Sequence, residues 1–191
     1  MKKTSIRFIT EIGIFSAVGL AIDFLAGLYS DIIWPLGGSI SITMVAIFLM
    51  AYRWGLKGGL ITGLLIGTIQ ILWAGSGAVY PLQIILDYVL AYTVVGVAGF
   101  YSKKIANQQE LTGKLYYVTN GIILAGLLRT IIHIISGYVY FREYTPEGLE
   151  KYKFTWSIIY NLGYMVPSII LCLIIVRVIY AKYHSLVEYQ G

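Results

Sequence analysis

Apolar runs long enough to bridge a bilayer recur along this chain, and they constrain its fold more than any other feature. A spanning helix takes about 20 predominantly apolar residues, and Ile6–Leu28, Gly55–Ala74, Tyr80–Phe100, Leu115–Phe141 and Phe154–Tyr180 each supply such a run. A shorter run, Ile40–Tyr52, is thin for a full crossing and stops at Arg53. Of the 191 residues 58% are hydrophobic and only 12% charged, whereas soluble domains carry roughly a quarter charged residues. Because lipid satisfies no backbone polar group, a spanning segment without a barrel pattern is helical. The expectation is an all-α polytopic membrane protein, a single domain over residues 1–191, built as a bundle of six transmembrane helices with little chain left over.

Charge sets the orientation. Lys2, Lys3, Arg7, Arg53, Lys57, Lys103, Lys104, Lys114, Arg177 and Lys182 fall on one side of a six-span arrangement, and only Arg142, Lys151 and Lys153 on the other. The positive-inside rule then puts both termini in the cytoplasm, with the Trp34 loop, the Gly75–Gly77 turn and the 142–153 loop outside. The net charge of +5 sits at helix ends, which argues against a nucleic-acid partner. Met1-Lys2-Lys3 before an apolar stretch has the outline of a signal peptide, but Glu11 and Asp23 interrupt it, so it reads as a retained first span. Pro81 suits a first helical turn, Pro167 predicts a kink in the last helix, and Ser102–Gly113 reads as the longest soluble connection. The lone cysteine, Cys172, excludes an internal disulfide framework.

Two stripes of small residues stand out. Gly55, Gly59, Gly63 and Gly67 recur every fourth residue, which permits close approach of another helix, read as packing within the chain. Gly13, Ala17 and Ala21 form a similar stripe on the first helix, which suits internal packing or the docking of a separate membrane subunit.

Polar side chains in hydrocarbon are costly and point to function or to a buried partner. At about 1.5 Å of rise per residue, Asp87, His133 and Asn161 come to similar depths on three helices, among rings from Trp34, Tyr80, Tyr88, Tyr92, Tyr140, Phe141, Trp156, Tyr160 and Tyr164. Ring faces attract a cation and a buried carboxylate pairs with one, so Asp87 leads the candidates for binding a small cationic metabolite. Arg129, one turn from His133, offers a structural counter-ion to Asp87 or to Asp23, and Glu11 a partner to Arg7 at four-residue spacing. No phosphate loop ending in Gly-Lys-Ser or Gly-Lys-Thr, no serine-nucleophile motif and no metal-ligand set occurs in the sequence. The expected site therefore binds rather than transforms, without cofactor or metal, and the chain is not read as an enzyme.

The runs Trp34-Pro-Leu-Gly-Gly-Ser-Ile-Ser-Ile, Ala51-Tyr-Arg-Trp-Gly-Leu-Lys-Gly-Gly, Leu86-Asp-Tyr-Val-Leu-Ala, Arg129-Thr-Ile-Ile-His-Ile-Ile-Ser-Gly and Ser157-Ile-Ile-Tyr-Asn resemble, in order and over essentially the full chain, the thiamine-specific S component of energy-coupling-factor transporters. The resemblance implies a multi-pass subunit of a bacterial cell membrane that captures thiamine from outside and delivers it with a T component and two ATPase subunits. It implies ligand contacts from Asp87, His133 and Asn161, stacking from Trp34, Phe141 and Trp156, and a role for Tyr80 near the start of helix 4. It turns the stripe at Ala17 and Ala21 into a docking face. Some relatives carry glutamate, tryptophan and tyrosine where this chain has Asp87, Phe141 and Trp156. The remaining alternatives are an S component for another vitamin or a thiamine precursor, and a stand-alone small-solute transporter.

Overall fold

The structure, a computed structural model, describes residues 3–34, 37–74, 80–140, 142–183 and 187–190. Their regular structure is all helical, with no strand among the described residues. The long helices are α1 (Lys3–Ile33), α2 (Met44–Ala74), α3 (Pro81–Ala106), α4 (Leu111–Tyr140) and α5 (Lys153–Lys182). Among the described residues these five are long and apolar enough to cross a membrane.

Helix α2 is folded in two. Gly55 adopts φ 66° and ψ −162°, a left-handed conformation open to glycine, and the chain doubles back there. A Cβ on Gly59 would lie 2.7 Å from the Cβ of Ala51, and one on Gly19 would touch both Ala46 and Ile66. The first arm, 44–54, is buried on every side, with Ile47, Phe48, Met50 and Ala51 wholly inaccessible. A helix apolar all round is one enclosed by protein, which is why this run can be shorter than the others.

The glycine stripe of the second arm packs within the chain, as its spacing predicts. Backbone meets backbone along it: Gly59 lies on Gly96, Gly63 on Tyr92 and Thr93, Gly67 on Tyr88 and Val89, and Gly99 of α3 returns the contact at Gly55 and Leu56. Across this crossing α3 departs from regular α geometry, becoming π-helical over Ile85–Leu90 and 3-10 over Val94–Tyr101. It also runs beyond Phe100 to Ala106, so the connection to α4 is shorter than its polarity suggests. Lys104 stays in the helix by extending over the rings of Tyr101 and Tyr117, with its Nζ 5.5 and 6.0 Å from their centroids. Pro167 lies inside α5 without ending it.

At the Arg53 end, Glu11 accepts hydrogen bonds from Arg53 Nε (2.6 Å) and Nη2 (2.9 Å), from Trp54 Nε1 (2.7 Å) and from Arg7 Nε (2.8 Å). The Arg7–Glu11 pair expected from spacing is present, and the buried Arg53 completes it. The backbone amide of Gln190 donates to the Arg53 carbonyl, tying the C-terminal segment to the α2 turn.

Filling the glycine crossing should be costly. Gly63→Val drives side-chain atoms into the Tyr92 backbone and should lower stability by about 2 kcal/mol or more. Gly13→Ala, where an added Cβ meets nothing within 4 Å, should leave the thermal midpoint in detergent unchanged. Equal midpoints for the two variants would contradict this packing.

Candidate ligand site

Near the other end of the bundle, α3, α4 and α5 bring polar side chains together. The π-helical stretch carries Asp87, and its widened turn re-aims a side chain relative to a regular helix. Asp87 Oδ1 lies 3.3 Å from His133 Nδ1 on α4. One turn away on α4, Arg129 donates from Nε to His133 Nε2 at 3.2 Å. A ring nitrogen that accepts a hydrogen bond carries no proton, so the neutral ring holds its proton on Nδ1 and donates it to Asp87.

Asn161 enters through Tyr164, a buried residue whose hydroxyl donates to Asn161 Oδ1 at 2.5 Å. The amide nitrogen of Asn161 donates to the Ser157 carbonyl at 2.8 Å, which fixes the amide orientation. The Tyr164 ring meets His133 edge to face at 5.9 Å and Trp34 at 6.1 Å. Tyr164 is thus the hub of the site, a rank that helical spacing alone did not give it.

Aromatic residues extend the arrangement toward the 34–40 loop. Tyr160 lies 5.9 Å from Trp156 and 6.4 Å from Tyr164, and its hydroxyl donates to the Gly37 carbonyl at 3.1 Å. Gly38, with φ 108°, passes so close to Tyr164 that a Cβ there would fall 2.5 Å from the ring. Trp34 and Trp156 are both half-buried. Tyr80 is 53% exposed and its ring lies 5.4 Å from that of Tyr140. Phe141 lies outside the described residues.

Neither acid forms an ion pair with Arg129 among the described residues. His133 stands between Arg129 and Asp87, and Tyr92 stands between Arg129 and Asp23: the guanidinium lies 3.9 Å from the Tyr92 ring centroid, and the Tyr92 hydroxyl donates to Asp23 Oδ1 at 2.7 Å. Asp23 also accepts from Gln70 Nε2 (2.5 Å) and Thr43 Oγ1 (3.3 Å). Tyr92 is among the rings expected around the polar layer, though not as a partner of Asp23, and Gln70 gives no sequence signal beyond being a polar side chain in an apolar run. On the far side of α1, Ala17 and Ala21 are exposed, as is Gly13.

The chain is 38% identical over 181 residues, 93% of its length and 92% of the relative's, to a protein of Bacillus subtilis (strain 168) named "Thiamine transporter ThiT". It is 29% identical over 143 residues, 71% of its length and 70% of the relative's, to the protein of the same name from Lacticaseibacillus paracasei. The solved structure of ThiT from Listeria monocytogenes superposes with a TM-score of 0.83 over 97% of this chain and 99% of that one, at 22% identity, which establishes the shared fold. Residues 9–188 match the family described as "Thiamine transporter protein (Thia_YuaJ)", and this chain, a multi-pass membrane protein, belongs to that family.

Proposed function

We propose that this protein is the thiamine-binding S component of an energy-coupling-factor transporter, capturing thiamine with high affinity on the outer side of the membrane. The observation that carries the reading is a charge deficit. The layer around His133 holds two carboxylates, Asp23 and Asp87, and one guanidinium, Arg129, among its described side chains. With His133 neutral, the layer is one positive charge short. A ligand bearing a permanent cation, as the thiazolium of thiamine does, restores balance where uncompensated charge is costly.

The remaining parts fit that ligand. Asp87, His133 and Asn161 supply hydrogen-bonding groups for an aminopyrimidine, while Trp34, Trp156 and the proposed Phe141 and Tyr80 offer ring faces to a cation. In this reading the two arms of α2 count as separate crossings, giving six, and the basic Arg53 end with both termini faces the cytoplasm. The exposed stripe at Ala17 and Ala21 docks the T component, through which two ATPases supply energy.

Thiamine titrated into the purified protein should quench tryptophan fluorescence saturably, and an absence of saturable quenching overturns the reading. Asp87→Asn should weaken binding by about 1.5–3 kcal/mol, roughly 10- to 150-fold, through loss of a charge-assisted hydrogen bond. Ala17→Leu combined with Ala21→Leu should leave thiamine binding intact and abolish co-purification with the T component; retained co-purification would move the docking face elsewhere.

A further inference from the structure

Asp23 occupies a costly position to which the ligand reading assigns a charge but no contact with the ligand. It is only 5% exposed, in the membrane-spanning part of α1, and its bonding partners are neutral: Thr43 just before α2, Gln70 from the second arm of α2 and Tyr92 from α3. The nearest cation, Arg129, reaches it across the face of Tyr92.

We propose that Asp23, acting through Tyr92, is a positioning residue for the ligand site, fixing Arg129 and thereby the tautomer of His133 that faces Asp87. Donation of the Tyr92 hydroxyl to a carboxylate pushes electron density into the phenol ring, and hydrogen bonds in low dielectric reinforce one another in this way. The enriched ring face strengthens its hold on the Arg129 guanidinium 3.9 Å away. Held there, Arg129 directs its Nε proton at His133 Nε2 at 3.2 Å. The opposite tautomer would oppose two N–H groups at Arg129 and two lone pairs at Asp87. The Nδ1–H form instead donates to one oxygen of Asp87 and leaves its second oxygen able to meet a ligand.

This role rests on the reading that Asp87 and His133 line the thiamine site, and one experiment separates the two. The full chain, labelled with 15N-histidine in detergent, contains two histidines, so His133 is assigned by comparison with His184→Gln. The wild-type ring should be neutral and protonated on Nδ1. Tyr92→Phe keeps the ring beneath Arg129 but removes the bond to Asp23; it and Asp23→Asn should give mixed tautomers and a thiamine Kd raised about 10-fold. Arg129→Met should abolish the preference. A wild-type ring protonated on Nε2, alone or together with Nδ1, overturns the proposal without recourse to any variant, as does a folded Tyr92→Phe chain with the wild-type tautomer. A wild-type chain with the Nδ1–H ring that fails to bind thiamine removes the ligand reading and leaves the positioning role standing.

Discussion

A carboxylate inside a membrane helix has to be met by donors from its neighbours, and much of this bundle is arranged around that demand at Asp23. Its bonds to Thr43, Gln70 and Tyr92 reach the turn that leads into α2, the second arm of α2 and α3. They fix which face of α1 turns inward. Ser16, Gly19 and Ala26 follow Asp23 into the bundle, and Gly19 admits Ile66 and Ala46 against the helix backbone. The opposite face, with Gly13, Ala17 and Ala21, is exposed as a consequence. An outward stripe of small residues is thus the complement of an inward acid.

The second constraint is the closeness of α2 and α3. Glycines on both helices bring the backbones into contact, Gly59 and Gly63 from one side and Gly96 and Gly99 from the other. Helix α3 is wound tightly where the approach is closest and loosely before it, 3-10 over Val94–Tyr101 and π over Ile85–Leu90. Asp87 lies in the loose stretch. Insertion of a π turn changes the direction of every following side chain, so the geometry that puts Asp87 against His133 and Tyr92 against Asp23 depends on an irregularity within a single helix.

The apolar runs are legible because burial in lipid leaves a coarse signal, about 20 residues long and nearly free of charge. The break at Gly55 was legible too, from Arg53 ending one run and the four-residue glycine stripe beginning the next. What escaped is set by tertiary context. Arg129 could be matched by depth to either acid, but depth says nothing about an intervening ring, and Tyr92 and His133 occupy those gaps. Tyr164 is one of seventeen tyrosines, and only the fold distinguishes the one that touches Trp34, His133 and Asn161 together. The π-helical stretch has no compositional mark, because leucine, isoleucine and valine fill π and α turns alike.

The two ends of the bundle solve the problem of buried charge in opposite ways. At the Arg53 end one carboxylate, Glu11, is met by two guanidiniums and an indole N–H, joining α1 to the α2 turn, where the Arg53 carbonyl holds Gln190. That network closes on itself, and its surplus positive charge rests on the exposed Arg7, where water can solvate it. At the Trp34 end two carboxylates share one guanidinium, and His133 spends its single proton on Asp87. Water reaches the half-buried Asp87 but scarcely reaches Asp23. On the proposed reading, a cation gains most beside Asp87, where it supplies the charge the chain omits. The Arg53 end is complete by itself, whereas the Trp34 end, on the proposed reading, is completed by its ligand.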